Sequence, residues 1–547
     1  MVSLFNSLNI ASNALSVNQS AISVVSHNVA NMNTEGYSKQ RANLATRNIA
    51  GAIGNNVEAQ VRSNGGVMIA NIMRYNNEYL NTYYRSQLSD LNKFEQQLGN
   101  LKDLAGIFDD LEGEGIDGAL SKFYEAVNNL NEYPASATAR TNFIECARTL
   151  TSVLNAKSIQ LDQLNSKALG DGESEDSLKT SEIYTKIISF NDKLDELAEV
   201  NKALQTTQTG TLTANNLLDR RDMILNELSE YIDIETKEAP NGSVTLYAGG
   251  TALVKGAVVT GKFDIETAKQ YCVDHHMKYP DDWKDDEGHP RSDLAVINIV
   301  DLNGTVIVDD ANDKITGGAL GGLLHSTDLS ADGMNPGKAQ EALNLIASEL
   351  ADMFNTLNKR AGAYHINPND TSMLSDTNKV DIFSIADGGG STLTAGNITV
   401  NSQLLADDGC WLISAAYFRE SDNFDPYAVG NALNVGNSFI DPTTGKPIGS
   451  FLGTRSEKRD NLNGQSIEDF YTGLVGKIAS SGNNAQNLVD TQADICDSLY
   501  NQIKSNNSVD LNEELVDLVK YQTAFAASAQ VFNIVNNCLE TLTSLGR

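Results

Sequence analysis

From the first turn of this chain an apolar residue returns every three or four positions, at Leu4, Leu8, Ala11, Leu15, Ile22, Val25 and Val29, with Asn18 as the one polar member. Steps that alternate between four and three average about 3.5 residues, the repeat of a coiled-coil seam, so these residues line one side of a helix that must pack against another. A single Asn on such a seam fixes register at some cost in stability. The seam stops at Asn31-Met32-Asn33-Thr34-Glu35-Gly36-Tyr37. There Gly36 permits the positive φ of a chain reversal, and Tyr37 is placed to anchor the segment after it.

The same periodicity recurs around residues 80–108, 143–164, 183–204, 339–357 and 467–499, the last with an expected interruption at Ser480-Ser481-Gly482. It returns at the C-terminal end through Leu511, Leu515, Leu518, Phe525, Ala529, Phe532, Val535, Leu539 and Leu542. Asp510 followed by Glu513 predicts a capped start for that helix, with the acidic first turn that the helix dipole favours. Strand character is confined to the middle. Asn241-Gly242 and Asn303-Gly304 each separate two short β-prone runs, a hairpin signal, and Asn397–Asn401 and Cys410–Ala415 are the expected strands further on.

The expected fold class is therefore mainly α with β insertions. The N- and C-terminal helices pair in a coiled-coil core, beside a long helical bundle and β-rich inserts. The expected division is 1–70 with 503–547 as a terminal helical part, and 71–232, 323–362 and 463–502 as a helical bundle. Residues 233–322 form a β-rich hairpin insert and 363–462 a reduced outer β-rich part.

Charge narrows the class of partner. Among 547 residues, 71 Asp and Glu stand against 40 Lys and Arg, for a formal charge of −31. A surface this acidic repels phosphate backbones and anionic lipid, so neither nucleic acid nor membrane is expected as a partner. No apolar run reaches the roughly 18 residues of a membrane span. A secretory signal is not expected either, because the first charge is Glu35 and no basic n-region precedes the apolar stretches. The five cysteines, odd in number and without a CxxC pair, read as mostly free thiols.

The two ends are the informative part. Residues 1–34 and 521–539 carry no Asp, Glu, Lys or Arg. A helix on a monomer's surface ordinarily turns a charged face to water. Here that face is Ser, Asn, Gln, Thr and Ala, which pack against neighbours without the cost of burying charge. Both terminal helices are therefore expected to be enclosed by other chains. A plain coiled-coil stalk with a polar outside remains the alternative, whereas a membrane anchor would need Lys or Arg on the polar face.

Ser26-His27-Asn28-Val29-Ala30-Asn31-Met32-Asn33-Thr34-Glu35-Gly36-Tyr37-Ser38 resembles the N-terminal signature of the bacterial flagellar rod, hook and hook-associated proteins. Val509–Glu514, Tyr521-Gln522 and Ala526–Gln530 resemble the matching C-terminal end. Within that group, Leu217-Leu218-Asp219-Arg220-Arg221-Asp222, the hairpin after it and Gly317–Leu324 resemble the FlgK family of hook–filament junction proteins. The resemblance covers most of the chain. It departs at 262–293, which look like a local insertion, and at 363–462, which are short for an outer domain.

The resemblance implies a structural protein of the flagellum, not an enzyme, and no cofactor. Its implied partners are further copies of itself in a tubular assembly, the hook protein, the second hook-associated junction protein, and an export chaperone at the C-terminal helix. It also implies an extracellular site at the junction, reached through the flagellar type III channel without a cleaved signal peptide. Another axial protein, or a secreted enzyme or adhesin with coiled-coil ends, is the alternative.

Few residues invite a chemical reading. Gly256–Phe263 approximates a phosphate-binding loop, but Phe263 stands where a Ser or Thr hydroxyl would hold Mg²⁺, so a hairpin turn is expected. Cys272, His275, His276 and His289 cluster without a standard zinc spacing, beside acidic residues that suggest a solvated loop. Asp219 and Asp222 share a helical face with Arg220 and Arg221 alongside, which predicts a structural ion-pair network joining helix to hairpin.

Overall fold

The computed structural model describes residues 2–48, 64–109, 114–133, 136–279, 283, 294–359, 363–364, 380–388, 390–414, 416–417, 439–440, 447–448 and 451–545. Much of the expected outer part at 363–462, and His289, lie outside them.

The chain opens with helix α1 (Val2–Asn31), then strands β1 (Gln40–Asn48) and β2 (Asn64–Arg74), which pair antiparallel. Helices α2 (Glu78–Phe108), α3 (Gly115–Glu132), α4 (Ala137–Leu169), α5 (Glu182–Thr206) and α6 (Leu212–Tyr231) follow. Their starts are local in origin. Asn77, Ser136, Ser181 and Thr211 each accept a bond from a backbone N–H of the first turn, supplying a partner that the helix itself lacks. Gly170, at φ +85°, lets α4 end and the chain turn. Replacing Ser136 with Ala is expected to lower stability by about 1 kcal/mol, measurable as a shifted denaturant midpoint.

A four-stranded sheet comes next, in the order β3 (Ile234–Glu238), β4 (Val244–Ala248), β5 (Thr251–Lys255), β6 (Val258–Val259). The Asn241-Gly242 turn joins β3 to β4, with Gly242 at φ +84° and Asn241 Oδ1 accepting from Ser243 N. The phosphate-loop look-alike is the turn from β5 to β6 and the strand after it, with Gly256 at φ +60°. A second sheet has the order β7 (Lys262–Thr267), β8 (Ala295–Val300), β9 (Val306–Val308). Then come α7 (Gly318–Leu324), α8 (Pro336–Lys359), α9 (Ile467–Asn507) and α10 (Leu511–Leu545).

Two large apolar cores form the body. One joins α2, α3, α4, α8 and α9 around Phe123, Phe143, Phe354, Phe383 and Phe451, with Phe123 edge-on to Phe354 at 5.0 Å and Phe354 stacked on Phe451 at 5.5 Å. The other joins α5, α6 and α7 to the β sheets, with Phe190 stacked on Phe263 at 5.1 Å. Helices α5 and α6, expected in the bundle, thus share a core with the strands, because their apolar faces meet β4, β5 and β7. A third, small cluster of Ala21, Val24, Val25, Ala42 and Tyr521 holds the terminal helices.

Three local expectations differ from the structure. Strand is not confined to the middle: β1 and β2 pair within residues 40–74, mostly inside the part expected to be helical, because the reversal at Gly36 sends the chain back across α1. Helix α9 runs unbroken through Ser480-Ser481-Gly482. A mid-helix Gly costs only about 1 kcal/mol, which packing along α2 and α8 offsets. Of Cys410–Ala415, expected as a strand, the first three residues lie in a 3-10 turn, Gly409–Leu412, that follows Asp408 at φ +63°. The carbonyls of Cys410 and Ile413 accept from the buried Arg140 guanidinium at 3.2 and 2.7 Å, in place of ladder partners.

In the 262–293 insertion, Cys272 is buried beside Trp283, whereas the exposed His275 stacks on Tyr271 and meets Asp309 at 2.9 Å. Those two side chains lie in different surroundings. Among the described residues no helix is long and apolar enough to cross a membrane.

Candidate assembly interface

Helices α1 and α10 lie antiparallel, since Asn28 meets Glu514 while Ala21 and Val25 share a cluster with Tyr521. The buried stripe of α1 is Ala11, Val17, Asn18, Ala21, Val24, Val25 and Asn28. Leu4, Leu8, Leu15, Ile22 and Val29 are only half-buried at its edge. On α10, Glu514, Tyr521 and Val535 are buried and Leu518, Phe525, Ala529, Phe532 and Leu539 half-buried. Leu511, Leu515 and Leu542, read from the sequence as seam positions, are exposed. The contact is rotated by about one residue from the apolar periodicity. The reason is chemical: a hydrogen-bonded Asn28–Glu514 pair and the small Ala21 set the approach, and the larger aliphatic side chains turn outward.

The chain reversal after α1 is built from the signature residues. Thr34 N donates to Asn31 O and Tyr37 N to Thr34 O, while Gly36 takes φ +74° against Met223. Tyr37 then folds back, its hydroxyl donating to Asn28 Oδ1 at 2.7 Å. Asn28 Oδ1 also accepts from Gln40 N at 3.0 Å, and its Nδ2 donates to Gln40 O at 2.8 Å and Glu514 Oε2 at 3.0 Å. All four bonds of this buried amide are made, so it ties helix, reversal, strand and C-terminal helix together. Burial, with Asp219 and Glu514 nearby, raises the Tyr37 phenol well above its usual range, so it remains a donor. Asp510 Oδ1 accepts from Asn512 N and Glu513 N, capping α10, while the Glu513 carboxylate pairs with Lys39 at 2.5 Å.

Below the reversal the terminal helices are fastened to the body by ions. Arg74, the last residue of β2, forks across α6, with Nε 2.7 Å from Asp219 Oδ1 and Nη2 2.7 Å from Asp222 Oδ2. Arg85 and Arg221 also reach Asp222, at 3.2 and 2.8 Å. Arg221 continues to the hairpin, donating to Gly242 O at 2.5 Å and meeting Glu238 at 3.1 Å. Arg220 stands apart, half-exposed, and pairs with Glu196. Burial alone would raise both carboxylates. Around Asp222 the three guanidinium groups outweigh it and hold the carboxyl far below the usual range, whereas Asp219, served chiefly by Arg74, stays raised. Arg74 and Arg85 are not legible as partners in the sequence, because each lies more than a hundred residues from Asp222.

A family model for the flagellar hook-associated protein FlgK helical domain matches residues 101–367, and one for the flagella basal body rod protein matches residues 8–37. The flagellar hook-associated protein 1 of Bacillus subtilis is 24% identical over 560 residues, covering 99% of this chain and 98% of that one. Along nearly its whole length this chain is similar to the flagellar hook-associated protein FlgK family. Its likeness to the flagellar hook-associated protein 1 of Salmonella typhimurium is also 24%, over 98% of this chain and 99% of that one. In fold it is similar to the flagellar hook junction protein FlgK from Burkholderia pseudomallei, at a TM-score of 0.51 and 13% identity over 78% of this chain and all of that one. In this chain the Leu217–Asp222 stretch, which resembles that family, carries the two carboxylates that Arg74 of β2 pairs with.

Proposed function

We infer that this chain is a structural subunit of the hook–filament junction of the bacterial flagellum, polymerising through its terminal helices. One observation carries the reading. The two helices that pair at the chain ends turn partly aliphatic faces outward, without charge over 521–539 and along the first helix, and the chain beside them is fastened to the body by Asp219 and Asp222. Leu511, Leu515, Val516, Val519, Ile534 and Leu542 are all at least 40% exposed. In a lone monomer that face has no apolar partner, and neighbouring copies supply one.

In this reading residues 1–70 and 503–547 form the inner layer of a tube. The helical and β parts lie outside it. Hook protein is the neighbour on one side and the second junction protein on the other. The subunit reaches this extracellular site through the flagellar export channel, with a chaperone covering the outward face of α10 beforehand. The protein is not an enzyme: the Asp219 and Asp222 carboxylates are held by arginines and serve structure.

A strain lacking the protein is expected to make hooks without filaments, seen by electron microscopy. Loss of the hook itself would point to a different axial protein instead. Val519→Asp is expected to leave the monomer's stability within about 0.5 kcal/mol, since the site is exposed, and to abolish complementation of the deletion strain.

A further inference from the structure

The outward face of α10 needs a counter-surface, and one candidate stands where β2 passes into α2. Met68, Met73, Tyr75, Tyr79 and Tyr83 are 40, 52, 42, 77 and 44% exposed. Tyr79 and Tyr83, four apart, share one face of α2. Arg74 and Arg85 at the two ends of this passage are buried in ion pairs. Between them the only charge is Glu78, whose carboxylate lies 3.9 Å from Arg85. Arg41, opposite Met73 in the strand pair, bonds Tyr75 and offsets that carboxylate, so the patch is aromatic and thioether in character, with one charge of each sign beside it.

On α10, Val516, Val519, Thr523, Ala527, Gln530 and Ile534 recur at helical spacing, are all exposed and carry no charge. With a net charge of −31, two copies repel wherever their ordinary surfaces meet. Close approach is cheapest where exposed charge is sparse, and the charges beside these two faces are few: Glu78 and Arg41 at the patch and Lys520 at the ridge.

Resting on the assembly reading above, we propose that the Tyr75–Tyr83 patch of one copy docks on the Val516–Ile534 ridge of a second copy of this chain. Patch and ridge are different surfaces, so the contact passes head to tail from copy to copy and builds a ring or tube in place of a closed dimer. Tyrosine is a frequent anchor of such contacts, its ring buried and its hydroxyl left to the polar rim.

The test places photoreactive p-benzoylphenylalanine at position 79 of the full chain, in flagella assembled on cells, and maps crosslinks by mass spectrometry. Crosslinks to residues 511–534 of a second copy are expected. Crosslinks between copies that fall elsewhere overturn the patch-to-ridge contact and leave self-assembly standing. A complete lack of crosslinks between copies removes both. The pair Tyr79→Ala and Tyr83→Ala is expected to cut incorporation at least about tenfold with an unchanged monomer melting temperature. Undiminished incorporation would overturn the proposal.

Discussion

Asp222→Ala is expected to destabilise the protein by about 3–5 kcal/mol, the range for removing one partner of a buried ion pair. The carboxylate is the shared counter-charge of three buried or nearly buried guanidinium groups, from Arg74, Arg85 and Arg221. Without it they face one another uncompensated where water reaches them poorly. Two attachments fail together: Arg74 at the end of β2 loses one of its two carboxylates on α6, and Arg221 loses the brace that aims it at Gly242 of the hairpin. Urea unfolding followed by circular dichroism should show the fall in midpoint, and limited proteolysis should show earlier cleavage near residues 75–77 and 508–510. A midpoint equal to the parent's would mean that the arginines find other partners.

The same carboxylate predicts a pH dependence. Its folded-state pKa lies below the unfolded value of about 3.9, so its contribution is complete above that pH and is lost as pH falls toward the folded value. Asp219 is raised by burial and acts in the opposite sense, so the parent alone would mix two effects. The difference between parent and Asp222→Asn isolates one of them. It should shrink on acidification below about pH 4; a constant gap from pH 6 to 3 would contradict the assignment.

The second large effect is expected at Gly318. It takes φ +65°, and a Cβ there would lie 2.2 Å from the Tyr231 carbonyl carbon and 2.3 Å from Ile232 N. Both are backbone atoms of the passage from α6 to β3 and cannot swing aside as a side chain would. Gly318→Ala thus combines the cost of a positive φ, about 1 kcal/mol, with a forced shift of α7, whose Leu320 and Leu323 are fully buried in the second core. A total above about 4 kcal/mol is expected, enough to leave much of the chain unfolded or aggregated on expression. Gly473→Ala is the control. Its added methyl meets nothing within 4 Å inside α9, so stability should rise by about 0.5–1 kcal/mol. Equal effects at the two positions would refute this account.

Much of this architecture is written locally. Seam spacing marks the terminal helices, Asp510 caps α10, and Asn241-Gly242 turns the chain between β3 and β4, because each depends on residues within a few positions of one another. The signature around Asn28 and Tyr37 is readable for the same reason: its internal bonds close across nine or ten residues. Absence of charge, a property of composition, is what sets both ends apart in the sequence.

Local pattern leaves undecided which side of a helix finds which partner. Leu515 and Phe525 look alike in an apolar repeat. One is exposed and the other half-buried, because the helix pair turns on Asn28 and Glu514, which hydropathy ranks low, and on the small Ala21. Likewise Asp219 and Asp222 advertise an ionic cluster, yet the choice of Arg74 and Arg85 over the adjacent Arg220 comes from where β2 and α2 arrive in space. The division of α5 and α6 from the first core has the same origin. Local spacing fixes the elements and their caps through short-range sterics and hydrogen bonds, and only long-range packing, which weighs burial against the desolvation of every charge at once, decides their faces and partners.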